Sequence, residues 1–190
     1  DARADALMKQ YDVEYDQKRD EIRAAATRLF LEVGYDGTSI ARLAEEARVA
    51  PNTLYWYFAD KDALLLAVLD ALVLGAFKEF EKRKKSPLDA QLVWVLGVLS
   101  NVKDLIATVH SRVAHVETLR VWHDGFHQMI EATLTEQLRA HGLAHGHEAH
   151  TARVTMFVLE GLLAHPSSKR QEGALLKWLV SLVQRDGGDS

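Results

Sequence analysis

Residues 48–65 read RVAPNTLYWYFADKDALL, and within them Tyr55, Trp56, Tyr57 and Phe58 stand side by side. The stretch has helical propensity, yet a helix buries only one stripe of its surface. Adjacent rings therefore cannot all enter one core. Leu54 and Phe58 are i, i+4 partners and take the inward side. That leaves Asn52, Thr53, Tyr55, Trp56 and Tyr57 on the exposed arcs. Pro51 suits a first helical position, where its missing N–H has no partner to lose. Asp60 is placed to cap a following helix. Exposed rings need an occupant for their polar ends. Tyr hydroxyls and the Trp N–H are donors fitted to phosphate oxygens. Asn52 can pair with adenine through two hydrogen bonds, and Thr53 can meet base edges or a thymine methyl.

Upstream, Ile22, Ala25, Ala26, Leu29, Phe30 and Val33 follow the spacing of one helix face from Lys18 onward. Gly34 supplies a left-handed cap, and Thr38 or Ser39 can begin a short helix with Ile40, Leu43, Ala44 and Ala47 inward. Two short helices joined by a tight break, preceded by a supporting helix, predict a helix-turn-helix. Its second helix is the one that enters a DNA major groove. Residues 1 to about 16 are charged and weakly periodic, and read as an arm or a frayed helix.

Downstream, a longer helix runs from Lys61 to about Lys84. The basic run Lys82 to Lys85 matches the C-terminal end of that helix dipole. Further helices are expected at about 87–101, 103–114, 117–141, 148–164 and 169–185, with Ser86-Pro87, Gly142 and Pro166 as breaks. No strand-period segment or internal repeat stands out. The expected architecture is all-α: an arm over 1–17, a three-helix helix-turn-helix domain over 18–61, and a larger helical bundle over 62–190.

Composition narrows the function. Of 190 residues, 48% are hydrophobic and 26% charged, with net charge -4 and no Cys. Disulfides, thiolate ligands and a Cys nucleophile are excluded, and a reducing cytoplasm fits. The longest apolar run is about Leu92 to Leu99, far short of the ~20 residues of a membrane span. No Ser nucleophile motif, phosphate-binding Gly-rich loop or HExxH occurs, so an enzyme is not expected, nor is a cofactor.

The stretch from Asp20 to Val68 resembles the DNA-binding region of the tetracycline-repressor (TetR) family. LFLEVGYDGTSI, LAEEARVA and TLYWYFADKDALL carry the likeness, at matching spacing throughout. It covers about a quarter of the chain; the rest is similar only in being helical and of fitting length. The resemblance implies that Thr38 and Ser39 meet phosphate and that Arg42 reaches the backbone or a nearby base. It places Pro51, Asn52, Thr53 and Tyr55 toward the groove, with Trp56 and Tyr57 clamping phosphates. Lys61 meets another phosphate with its charge and helix N-terminus. Two departures bear on the operator sequence. Many members carry Ser where this chain has Ala50, and Lys or Arg where it has Pro51. From Gln17 to Lys61 seven basic residues face seven acidic ones. Affinity for double-stranded operator DNA must then come from placed contacts and dimerisation rather than bulk charge.

The same resemblance implies a ligand-sensing, dimerising bundle beyond about residue 85. Val154, Phe157, Val158, Gly161 and Leu162 form one stripe; Leu175, Leu176, Leu179, Val180, Leu182 and Val183 form another. Two such terminal helices from each subunit suit a homodimer interface. Trp94, His110, Trp122, His123, Phe126, His127, Met129 and Phe157 are the candidates to line a cavity for a mostly apolar or aromatic effector. All nine His lie between 110 and 165. His123 and His127, i, i+4 on one helix, can share a metal, and His145, His147 and His150 cluster at a break. The expected function is a ligand-responsive repressor, with a metal-responsive regulator on the same fold as the alternative.

Overall fold

The computed structural model describes residues 2–143, 146–165 and 167–185. His145 of the second histidine cluster and the break at Pro166 lie outside the described residues. The described chain is helical throughout: α1 (Ala2–Val33), α2 (Ile40–Glu46), α3 (Pro51–Tyr57), α4 (Lys61–Glu81), α5 (Leu88–Asn101), α6 (Lys103–Arg112), α7 (Glu117–Ala140), α8 (Glu148–Ala164) and α9 (Lys169–Arg185). It divides into two compact units, with the boundary inside α4 between Leu74 and Gly75. The sequence boundary at residue 61 marks the end of the short helices instead.

The first unit is built on the stripe read from sequence. Ile22, Ala25, Ala26, Leu29 and Phe30 of α1 are buried with Leu43 and Ala44 of α2, Leu54 of α3, and Leu64, Leu65 and Val68 of α4. Burying a side chain of Leu or Phe size contributes about 1.5–3 kcal/mol. Val33, the last member of the α1 stripe, is exposed at the helix end. Residues 2–17 are not a separate arm here: α1 runs through them without interruption.

The turns follow from local chemistry. Gly34 ends α1 at φ 79, in the left-handed region. Gly37 is held closer still, because a Cβ there would lie 2.4 Å from the Val33 carbonyl oxygen. Ser39 caps α2, its Oγ accepting from the Arg42 N–H at 3.1 Å. The α2–α3 break is a Schellman turn. Arg48 N–H donates to Glu45 O and Val49 N–H to Ala44 O, with Arg48 at φ 54. Ala50 gives α3 no side-chain cap, and Pro51 takes its first turn. Asp60 Oδ1 accepts from Ala63 N–H at 2.7 Å and so starts α4.

A polar latch closes the first unit. The Tyr35 hydroxyl donates to Asp62 Oδ1 at 2.6 Å, and Lys61 Nζ donates to Tyr35 O at 2.5 Å. That ammonium also sits 4.0 Å from the centre of the Tyr35 ring, a cation–π contact. The turn after α1 is thereby tied to the start of α4.

In the second unit a leucine-rich core joins α5 (Leu88, Leu92, Leu96), α7 (Leu134, Leu138), α8 (Ala152, Met156, Leu159) and α9 (Leu176, Val180). Gln91 is buried and donates from Nε2 to Lys84 O and Ser86 O at 3.0 and 2.8 Å. It thereby satisfies carbonyls at the turn that follows α4. The basic run behaves as a solvated helix end. Lys82 and Arg83 pair with Glu79, and Lys84 with Glu81.

Candidate nucleic-acid interface and effector region

α3 presents the rings that the opening stretch predicts, but not all in the same way. Leu54 and the C-cap residue Phe58 are buried. Trp56 is 82% exposed and Tyr55 52%. Pro51 and Asn52 are exposed, and Thr53 is half-buried. Trp56 and Tyr55 are adjacent, so α3 presents a contiguous aromatic patch to solvent, the kind of surface that marks an interaction site. Tyr57 is different. It is half-buried and stacks on Tyr15 of α1, ring centroids 4.7 Å apart and 27° between planes. The Tyr15 hydroxyl in turn lies 3.4 Å from the Trp56 carbonyl oxygen. The end of α3 is thus braced by the part of α1 that sequence reads as an arm.

Two expected phosphate ligands are committed elsewhere. Thr38 is 1% exposed; its hydroxyl donates to Gly34 O at 2.7 Å and its N–H to Tyr35 O at 3.1 Å. Its side chain is a turn fastener, and no phosphate reaches it in this conformation. The Lys61 ammonium points into the Tyr35 latch rather than outward. Ser39 and Arg42 are exposed, although the Ser39 hydroxyl already serves the α2 cap. Arg42 has no ion pair among the described residues. Arg28, by contrast, bonds Glu46 at 2.8 Å across α1 and α2.

In the second unit the expected effector residues separate into groups. Trp122 and Phe126, one turn apart on α7, stack at 5.3 Å with 6° between planes, both half-buried. His127 meets the Phe126 edge, His123 lies 4.2 Å from His127, and His110 of α6 meets His123 edge-on at 5.1 Å between ring centroids. Trp94 belongs to another contact, with Phe80 on one side and the Arg83 guanidinium 4.8 Å from its ring. Met129 is half-buried. Phe157 is 58% exposed on α8 and lines no interior in the single chain. The expectation for it is corrected: the α8 stripe splits, with Met156 and Leu159 inward and Val154 and Phe157 outward.

The histidine group carries its own electrostatics. Burial, and next the neighbouring His123, hold the His127 imidazole below its ordinary pKa, with Glu160 pulling the other way. Glu160 Oε1 lies 3.3 Å from His127 Nε2. His110, which adjacency on one helix does not reveal, joins the i, i+4 pair because α6 packs beside α7.

Comparison with known proteins bears on both units. The family described as "Bacterial regulatory proteins, tetR family" matches residues 22–68, which span α1 to α4 from the first core residue onward. The chain is 44% identical over 54 residues to the HTH-type transcriptional regulator HbdR of Aromatoleum sp. strain CIB, covering 28% of this chain and 24% of HbdR. It is 32% identical over 88 residues to the HTH-type transcriptional regulator TcmR of Streptomyces glaucescens, covering 45% and 39%. The matched parts therefore span well under half of either regulator. The fold is similar over nearly the whole chain to solved regulators. One is a tetR-family transcriptional regulator of Mesorhizobium loti MAFF303099, with TM-score 0.74, 21% identity, and 90% and 97% of the two chains covered. Another is a transcriptional regulator of Rhodococcus sp. Rha1, with TM-score 0.75, 17% identity, and 90% and 98% covered.

Proposed function

We propose that this chain is a tetR-family regulator, a homodimeric transcriptional repressor acting in the cytoplasm that leaves its operator when a small molecule binds residues of the second unit. The reading is supported by the family match over residues 22–68 and by the similar all-helical fold. The observation that carries the DNA reading is Trp56. A seven-residue helix anchored by buried Leu54 and Phe58 holds an indole 82% exposed beside Asn52 and Tyr55. On duplex DNA that arc offers donors to phosphate and an Asn side chain to base edges. Two copies related by a two-fold axis read a pseudo-palindromic site with half-sites about 34–36 Å apart.

The effector reading is supported by the parallel Trp122–Phe126 stack, half-buried on α7 beside polar imidazole edges. Flat rings with polar neighbours suit an aromatic molecule. Coupling is reciprocal: an effector that weakens operator binding must itself bind the operator-bound protein less tightly.

The experiment is selection of duplexes from a random-sequence library by the purified protein, then anisotropy titration of the enriched duplex. Trp56→Ala is expected to lower affinity at least tenfold with an unchanged thermal midpoint. Asn52→Ala is expected to relax preference at one base pair by roughly 1–3 kcal/mol. Failure to enrich any duplex, or full affinity in Trp56→Ala, overturns the assignment of α3 as the reading helix.

A further inference from the structure

We infer that His110, His123 and His127 form a binding site for one divalent first-row transition-metal ion. The three imidazoles come from two helices, His110 from α6 and the other two from successive turns of α7. One ligating nitrogen from each lies within 4.8 Å of the other two. Nitrogens sharing a tetrahedral ion at about 2.0–2.1 Å stand about 3.3 Å apart. Closing the remaining gap takes rotation of side-chain torsions, because the rings already touch.

The state of His123 is the most informative. Its Nε2 is buried and has no hydrogen-bond partner among the described residues. Its other nitrogen, Nδ1, lies 3.6 Å from Asp124 Oδ1. An imidazole with a carboxylate behind one nitrogen and a bare, buried second nitrogen is arranged as a metal ligand. That bare nitrogen keeps a lone pair available to an ion. His127 has the same backing, its Nε2 facing Glu160 Oε1 at 3.3 Å. Glu160 of α8 stands behind His127 and is outside the group of three converging ligand atoms, so it is a positioning residue. Ordinary packing explains stacked rings; it does not explain why a buried ring nitrogen has no partner, which costs free energy wherever it occurs.

The donor set selects the ion. Three imidazoles without thiolate suit Zn²⁺, Co²⁺ or Ni²⁺ and disfavour Mg²⁺ and Ca²⁺, which take oxygen ligands. Three protein ligands leave one coordination position for water or for an oxygen of a bound molecule.

The test uses the purified chain, stripped with a chelator and titrated in the absence of DNA, so that its outcome is separate from that of the operator experiment. Zn²⁺ is expected to bind by calorimetry at one ion per chain, with Mg²⁺ giving no signal. Co²⁺ is expected to show the intense visible bands of a tetrahedral site. His123→Ala with His127→Ala should lower Zn²⁺ affinity at least 100-fold and abolish those bands. Glu160→Gln should lower it roughly 10-fold, as loss of an outer partner does. His110 is exposed, so His110→Ala tests the site without disturbing the helix core should the double variant fail to fold. Zn²⁺ affinity unchanged in His110→Ala overturns the site. So does Zn²⁺ binding that is lost instead on replacing His147 and His150, or no Zn²⁺ binding at all.

Discussion

At the scale of single residues, the first unit places one side chain at a cost. Arg48 occupies φ 54, where an L side chain with a Cβ is disfavoured by roughly 1–2 kcal/mol. The Schellman bonds to Glu45 and Ala44 hold it there. Gly at this position removes the Cβ penalty but gives more freedom to the unfolded chain, so the two effects partly cancel. Arg48→Gly is expected to raise stability by about 0.5–1 kcal/mol, read as a higher urea midpoint at unchanged slope. A lower midpoint would show that the Arg48 side chain is holding something the turn geometry does not reveal. Sequence announced some residues of this unit and hid others. Gly34, Pro51 and Asp60 act through their own backbone, so their roles were readable from type and position. The intramolecular partners of Thr38 and Lys61, Gly34 O and Tyr35 O, are not legible in sequence, because they are backbone carbonyls that become available only once the turn exists.

At the scale of elements, α1 is the instructive case. Its second half announces itself through core spacing, whereas residues 2–17 lack an apolar stripe and still continue the helix. A segment of that kind gains order from extending an existing helix, which avoids a new nucleus, and from contact with α3. The partner is Tyr57, which spacing alone assigned to the exposed arc with Trp56 because nothing local to α3 shows a ring arriving from α1. Tyr15→Ala should therefore cost about 0.5–1.5 kcal/mol, the range of an aromatic pair, and loosen the end of α3. Amide exchange at Tyr55–Tyr57 is expected to accelerate in the variant. Exchange at those amides that stays as slow as in the parent would mean the stack braces nothing. Tyr57→Ala should lose stability as well as operator affinity, which separates it from Trp56→Ala.

At the scale of the whole molecule, the proposed dimer rests on which apolar side chains remain outside once each chain has packed itself. Leu176 and Val180 of the α9 stripe are consumed by the intrachain core, and Leu179 and Val183 are half-buried. Periodicity could not make that division, since it shows that a face is apolar but not what covers it. Val154 and Phe157 on α8, with Leu175 and Trp178 on α9, stay outside, Trp178 at 56%. Phe157→Glu with Trp178→Glu is expected to give monomers in sedimentation velocity at micromolar concentration, folded by circular dichroism and weak on a full operator. A double variant that still sediments as a dimer moves the interface away from α8 and α9. The histidine trio was equally out of reach of periodicity, because His110 and His123 meet only through the pairing of two helices.

Gly37 sits in an exposed turn, where a survey of surface positions would predict freedom to vary. The carbonyl it would strike belongs to the backbone of Val33, which no rotamer change can move aside. In a saturation library scored for folded protein, position 37 should therefore reject every alternative, alanine included, as a core position does, while the neighbouring exposed Asp36 accepts many. The mutational profile of this turn will thus report the path of the main chain, and solvent exposure will be a poor guide to which letters it permits.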